Sequence, residues 1–271
     1  MESLFLPQWG AFLRYHDLPG KSPTRVYLHG LAISSSSASF TNVAMHPDLA
    51  GHRSLLVDFL GFGFSDRPPD FSYTHEDQAY AIAGLLDRLD LRDCAFVGHS
   101  MGGSVAISLA ALRPELVSRL VVAEGNLDPG GGQTSKRVAE QSEREFVSNG
   151  YKVLLEDIKA RAESGESGLA AFAGMLQVAA PHAFHRSAVA LVKGTQPTVR
   201  QRFYELLIPR AYVFGERSVP KNEGSAVPDA PYPLQLEKEG IQIFVVPDAG
   251  HLMVVENPKG FGDVVREALK S

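Results

Sequence analysis

The sequence has one cysteine, no long apolar run and no excess of positive charge, and each of these excludes a class of protein. The single cysteine, Cys94, rules out an internal disulfide framework and a cysteine-based zinc site. Lys and Arg total 26 against 31 Asp and Glu, and a net charge of −5 argues against nucleic acid as a partner. No apolar run approaches the roughly 18 residues that span a bilayer, and no signal-peptide pattern opens the sequence. We therefore expect a cytoplasmic protein without a membrane span.

Short β-rich runs alternate with helical patterns over the first 124 of the 271 residues, which is typical of a mostly parallel sheet flanked by helices. The apolar residues Ile82, Leu85 and Leu86 share one helical face, and Thr74 is a plausible N-cap for that helix. Strands are expected at residues 11–15, 25–28, 54–58, 95–98, 120–124, 211–214 and 241–246. The sequence therefore predicts an α/β fold.

The pattern changes after about residue 130, where β-branched runs disappear and helix formers dominate. Helices are expected at residues 135–147, 153–163 and 169–179, and a last helix at residues 258–270. Strand-like sequence returns after this helical insert. The predicted organisation is a core domain in two parts, residues 1–126 and 205–271, with the helical insert over residues 127–204.

The segment Gly98-His99-Ser100-Met101-Gly102 fits the pattern G-x-S-x-G between an expected strand and an expected helix. A serine hydroxyl reacts well only when it is exposed next to a base, and a sharp turn from strand to helix provides that exposure. The flanking glycines leave room for the turn. The N-terminus of the following helix also directs the Met101 N–H at the site, where it can stabilise an oxyanion. Ser100 is therefore the candidate nucleophile.

Three further segments accompany this motif in the order found in a known family. They are Leu28-His29-Gly30-Leu31, Gly61-Phe62-Gly63-Phe64-Ser65-Asp66-Arg67-Pro68, and Gly250-His251-Leu252 followed by Glu256-Asn257-Pro258. With them the chain resembles α/β-hydrolase-fold enzymes, and among these a serine esterase or lipase, over nearly its whole length. The resemblance implies that His251 is the general base, that the Leu31 N–H is the second oxyanion donor, and that residues 127–204 form a cap over the site.

The acid of the expected triad departs from the commoner pattern of this family. Ser218 stands where most members have an aspartate, in the loop after the strand at residues 211–214. Some members, notably haloalkane dehalogenases, carry the acid one strand earlier, where this chain has Glu124. A carboxylate there would accept the Nδ1–H of His251 and fix its tautomer. Glu124 is thus the favoured acid, and a dyad without an acid stays open along with three other carboxylates, Asp128, Glu216 and Asp229.

The substrate pocket is expected between the core and the cap. The residues expected to contribute to it are His29, His99, Phe172, Met175 and Phe184, the two histidines as structural or wall residues rather than bases. The pair His182-x-x-His185 is weak evidence for a metal, so no metal site is expected. No cofactor is expected either.

The resulting hypothesis is a cofactor-free serine hydrolase that cleaves a carboxylic ester or a lactone through an acyl-enzyme. C–C bond hydrolysis, thioester cleavage and peroxyacid formation could use the same residues. A ligand-binding receptor with slow turnover is the alternative from another class. The sequence leaves the substrate and the oligomeric state open.

Overall fold

The computed structural model describes residues 1–34 and 39–270. These residues contain an eight-stranded sheet with the strand order β1-β2-β4-β3-β5-β6-β7-β8. The pairs β1/β2 and β2/β4 are antiparallel, and the five other pairs are parallel. The strands are β1 (Glu2–Leu6), β2 (Ala11–Leu18), β3 (Lys21–Leu28), β4 (His52–Asp58), β5 (Cys94–His99), β6 (Val117–Ala123), β7 (Arg210–Gly215) and β8 (Gln242–Val246). The mostly parallel sheet confirms the predicted α/β class.

Twelve α-helices lie in the described part of the chain. They are α1 (Thr41–Ala44), α2 (His75–Arg88), α3 (Met101–Leu112), α4 (Gln133–Ala139), α5 (Glu143–Glu145), α6 (Tyr151–Glu163), α7 (Leu169–Leu176), α8 (Pro181–Lys193), α9 (Val199–Glu205), α10 (Pro233–Lys238), α11 (Met253–Glu256) and α12 (Pro258–Lys270). Helix α2 begins as predicted, because the Thr74 hydroxyl accepts the N–H of Asp77 at 3.2 Å.

Side chains alternate between the two faces of the sheet and build a hydrophobic core on each. On β6, Leu120 and Val122 pack in the cluster that contains residues of α2 and α3, whereas Val121 and Ala123 pack in the cluster that contains residues of α12. Because both faces are covered by helices, β5 is buried along its whole length. Reactive side chains can therefore reach solvent at the ends of the strands rather than along the faces of the sheet.

Several elements differ from the prediction. Strand β1 was not predicted, because only Leu6 of this edge strand is fully buried and its hydrophobic pattern is weak. The single helix predicted at residues 135–147 is wrong: α4 ends at Ala139, and the Ser142 side chain caps a new helix by accepting the Glu145 N–H. Helices α8 and α9 were also missed.

Helices α4 to α9 lie between β6 and β7 in the chain and are attached to the sheet domain by hydrogen bonds. The Ala180 N–H donates to the Gly61 carbonyl at 2.9 Å, and the Arg67 guanidinium donates to the Val178 carbonyl at 2.7 Å. Arg186 of α8 bonds both to another of these helices and to the sheet domain. It forms a bidentate pair with Glu143 of α5 and donates to the Phe71 carbonyl at 2.9 Å.

We expect Arg186→Met to weaken the attachment of these helices, because it leaves the Phe71 carbonyl and the Glu143 carboxylate without their donor. The side chain is 29% exposed, so water replaces part of the loss, and the free energy of unfolding should fall by about 1–2 kcal/mol. Urea denaturation measures this change. Arg137→Met is the matched control, because its single pair with Asp157 is more exposed, and a control that loses as much stability would contradict the special role of Arg186.

Candidate active site

Ser100, Glu124 and His251 all follow strands at one edge of the sheet. Ser100 comes directly after β5 and Glu124 directly after β6, and His251 lies in the segment between β8 and α11. The carboxyl ends of parallel strands meet at the same edge, which is where open α/β sheets bind ligands. The topology therefore brings together side chains that are far apart in the sequence.

Ser100 lies in a strained turn between β5 and α3, with a φ of +52°. Its N–H donates to the Ala123 carbonyl at 2.8 Å, which ties the turn to the end of the neighbouring strand. The two motif glycines are required by close backbone contacts: a Cβ on Gly98 would lie 2.5 Å from the Gly102 oxygen, and one on Gly102 would lie 2.1 Å from the Leu28 oxygen. The G-x-S-x-G pattern is thus a packing requirement of this turn.

A continuous chain of hydrogen bonds connects the three side chains. His251 Nδ1 is 2.7 Å from Glu124 Oε2, and His251 Nε2 is 3.1 Å from Ser100 Oγ. A carboxylate can only accept, so Nδ1 carries the proton and Nε2 presents its lone pair to the serine hydroxyl. The other oxygen of Glu124 accepts the Gly215 N–H at 2.7 Å, which fixes the orientation of the carboxylate.

The charges around His251 favour its protonated form. Burial lowers the pKa of the imidazole, but the hydrogen bond and charge of Glu124, together with the charges of Asp229 and Glu256, outweigh it and raise the pKa above 6.5. An imidazole with a raised pKa is a stronger base toward the serine hydroxyl.

Two residues that the sequence analysis did not single out as functional hold the loop that carries His251. The Glu256 carboxylate accepts the Gly250 N–H at 2.5 Å and pairs with Arg217 at 2.7 Å. The backbone N–H of Arg217 in turn donates to the Ala249 carbonyl at 2.9 Å. Glu256 belongs to one of the family-like segments, which was the available signal for it.

The three alternative candidates for the acid of the triad, Asp128, Glu216 and Asp229, differ in their surroundings. Asp128 forms a bidentate pair with Arg200, and Glu216 accepts the Asp248 N–H at 2.9 Å. Asp229 alone among these three is close to the histidine, with Oδ2 3.9 Å from Nδ1 of His251.

His29 and His99 are buried and bonded to backbone. His29 Nδ1 donates to the Gly30 carbonyl at 2.7 Å, and its Nε2 accepts the Phe59 N–H at 3.0 Å. His99 Nε2 donates to the His251 carbonyl at 2.7 Å, and burial lowers the pKa of His99 to about 3. Both are therefore neutral residues that hold the loops in place.

A cavity of about 300 Å³ lies against Ser100 and His251. Of the residues expected in the pocket, His99, Phe172 and Phe184 line it, together with Leu31. Met175 and His29 are buried but do not line it, and the His29 ring nitrogens are bonded to the backbone of Gly30 and Phe59. The lining also includes polar residues, among them Gln133, Thr134, Asn126, Arg161 and Asp229.

Met101 and Leu31, the residues expected to stabilise an oxyanion, both lie near Ser100. Met101 is the first residue of α3, so its N–H has no acceptor within the helix. The loop after β3 is close to the serine, since a Cβ on Gly30 would lie 3.1 Å from the Ser100 Cβ. Leu31 follows in that loop and lines the cavity.

Over residues 1–34 and 39–270, no cluster of three or more His, Cys, Asp or Glu side chains has a metal-binding arrangement, and no helix has the length and apolarity to cross a bilayer. His182 and His185 instead face Tyr73 and the Gln141 carbonyl, respectively.

Residues 26–149 match the family model described as the alpha/beta hydrolase fold. The chain has this fold. The fold extends beyond the matched residues, because the crystal structure of an enol-lactonase from Burkholderia xenovorans LB400 is similar over 100% of both chains, with a TM-score of 0.77 and 20% identity.

Two curated relatives of this α/β-hydrolase-fold chain cover different shares of it. It is 29% identical over 280 residues to a Bacillus subtilis (strain 168) protein provisionally named 2-succinyl-6-hydroxy-2,4-cyclohexadiene-1-carboxylate synthase, covering 93% of this chain and 92% of that one. It is 42% identical over 114 residues to the sn-1-specific diacylglycerol lipase ABHD11 of Mus musculus, covering 41% of this chain but only 36% of the lipase. The family match and the lipase match support a hydrolase as the enzyme class.

Gly102→Ala should destabilise the turn at Ser100, because the new methyl group would lie 2.1 Å from the Leu28 carbonyl oxygen. We expect a fall of about 3 kcal/mol or more in the free energy of unfolding, measured by urea denaturation. Gly174→Ala is the control: it lies inside α7 with no atom within 4 Å of the new Cβ, so the same change should be neutral or stabilise by up to about 1 kcal/mol. Equal stability of the two variants would show that the turn tolerates a side chain.

Proposed function

We propose that the protein is a serine hydrolase that cleaves a carboxylic ester or a lactone through an acyl-enzyme. The single observation that carries the proposal is the hydrogen-bonded chain from Ser100 through His251 to Glu124, with distances of 3.1 Å and 2.7 Å. The likeness to an enol-lactonase structure and the match to a diacylglycerol lipase agree with this chemistry.

In the proposed mechanism, His251 Nε2 takes the Ser100 proton while Oγ attacks the carbonyl carbon of the substrate. The N–H groups of Leu31 and Met101 stabilise the oxyanion of the tetrahedral intermediate. His251 then gives its proton to the leaving alkoxide, which departs as the alcohol and leaves an acyl-Ser100. In the second half, His251 takes a proton from water, whose oxygen attacks the acyl group, and the proton returns to Ser100 as the acid is released.

We further propose that residues 127–204 act as a cap that selects the substrate. Helices α4, α6, α7 and α8 each contribute to the cavity, for example through Ser135, Ile158, Phe172 and Phe184. A volume of about 300 Å³ is at the small end of ligand sites. A small substrate with an apolar group beside the reacting carbonyl suits these walls.

A series of p-nitrophenyl esters of increasing acyl length tests this proposal. The wild type should turn over repeatedly with the shorter acyl chains, and Ser100→Ala should lose about 10⁴-fold or more in kcat/KM. Glu124→Gln should lose about 10²–10⁴-fold, since the amide no longer stabilises the protonated His251. Circular dichroism checks that each variant is folded.

Three results would contradict parts of this scheme. Unchanged activity in Ser100→Ala would exclude Ser100 as the nucleophile, and unchanged activity in Glu124→Gln would show that the reaction does not need the Glu124 carboxylate. A folded wild type that binds an ester or lactone and reacts only once would favour the receptor-like alternative.

The pH dependence of kcat/KM should follow the raised pKa of His251. Only the neutral imidazole can accept the serine proton, so activity is present above this pKa and is lost as the pH falls through it. The midpoint of the acid limb should therefore lie above pH 6.5. Initial rates between about pH 5 and pH 9 measure it, and a midpoint at or below 6.5 would show that the carboxylates do not outweigh the burial of the ring.

A further inference from the structure

Two carboxylates, rather than one, face the Nδ1 atom of His251. Glu124 Oε2 lies 2.7 Å from this atom and Asp229 Oδ2 lies 3.9 Å from it. They come from different parts of the fold, since Glu124 directly follows β6 and Asp229 lies in the segment between β7 and α10. Glu124 is almost fully buried, whereas the Asp229 side chain is 18% exposed and lines the cavity.

Backbone contacts hold Asp229 in this position. The buried Tyr212 hydroxyl lies 2.9 Å from the Gly125 carbonyl and 2.8 Å from the Asp229 carbonyl, so it connects the segments that carry the two acids. The Leu127 N–H also donates to the Pro228 carbonyl at 2.9 Å. The approach of Asp229 to His251 is therefore part of the packing around the end of β6.

The Asp229 carboxylate lies close to His251, and among the described residues it forms no ion pair with an arginine. Within the described chain, His251 is the only basic side chain within 4 Å of the Asp229 carboxylate. By contrast, Asp128 pairs with Arg200, and Glu256 pairs with Arg217. Across the cavity, Arg161 is held by Glu166.

The remaining groups around the ring add no positive charge on this side. His99 packs against His251 with ring centroids 5.1 Å apart and is neutral, because burial lowers its pKa to about 3. The acidic groups that act on His251 are thus Glu124, Asp229 and Glu256, and among these Asp229 is the one on the cavity wall.

We infer that Asp229 is a second acidic positioning residue, which stabilises the protonated His251 together with Glu124 and takes over the Nδ1 hydrogen bond when Glu124 is neutralised. The inference rests on the proposed serine-hydrolase function. As the Ser100 proton moves to Nε2, the ring becomes a cation between two carboxylates. Glu124 fixes the ring by a direct hydrogen bond, and Asp229 acts on it by charge at 3.9 Å.

The first test is a titration of His251 by NMR of the protein with labelled histidine, which needs no turnover. Removing the Asp229 charge makes the imidazolium less stable, so Asp229→Asn should lower the titration midpoint of His251 by about one pH unit. Asp229→Glu should restore the wild-type midpoint. Asp263→Asn, which removes a surface carboxylate of α12, is the control and should leave the midpoint unchanged. An unchanged midpoint in Asp229→Asn would overturn the inference.

The second test is a double-mutant comparison of kcat/KM for a p-nitrophenyl ester. Asp229→Asn alone should move the acid limb to lower pH and reduce the plateau by about threefold to tenfold. In the Glu124→Gln background, the same change should cost at least about tenfold more, because no carboxylate then faces Nδ1. Equal effects in the two backgrounds would reject the substitute role of Asp229.

The two tests separate this inference from the proposed function. If the wild type hydrolyses no ester but the His251 midpoint falls in Asp229→Asn, the electrostatic role stands and the proposed reaction fails. If the wild type is active and neither midpoint nor rate responds to Asp229→Asn, the proposed reaction stands and the inference fails.

Discussion

The hydrogen bond between His251 and Glu124 joins residues that are 127 positions apart in the chain, and much of the fold serves to make that bond possible. The parallel pairing of β5, β6, β7 and β8 brings the ends of these strands to one edge. The Gly215 N–H at the end of β7 then orients the Glu124 carboxylate, and Glu256 and Arg217 hold the loop in front of it. Without this bond the imidazole would have no fixed tautomer to present to Ser100.

In the proposed triad, the position of the acid changes what the loop after β7 has to do. Because the Glu124 carboxylate, which follows β6, is hydrogen-bonded to His251, the proposed triad needs no acidic side chain at Ser218. The backbone and side chains of this loop instead contact the histidine loop, through Glu216 and Arg217, and carry Asp229 to the cavity wall. Gly215 is required for the close packing of the two loops, since a Cβ there would lie 2.3 Å from the Gly250 oxygen.

The sequence predicted the features that arise from local patterns. Seven of the eight strands, the cap of α2 and the last helix follow from hydrophobic periodicity and from capping residues, and the turn at Ser100 follows from its two glycines. Helices α8 and α9 had local signals that were missed: Pro181 begins α8, and Thr198 with Gln201 forms a capping box at α9. The placement of Asp229 beside His251 has no local signal, because it depends on Tyr212 and on contacts between distant segments.

The bond from the Ser100 N–H to the Ala123 carbonyl has a consequence for how the site would lose its shape on warming. It joins the serine to the residue just before Glu124, so these two side chains move together with the centre of the sheet. His251 is attached differently, through a loop near the edge strand β8. Sheet edges and loops open at lower free-energy cost than central strands. Local opening of the histidine loop would thus separate His251 from Ser100 and Glu124 while the rest of the sheet stays folded.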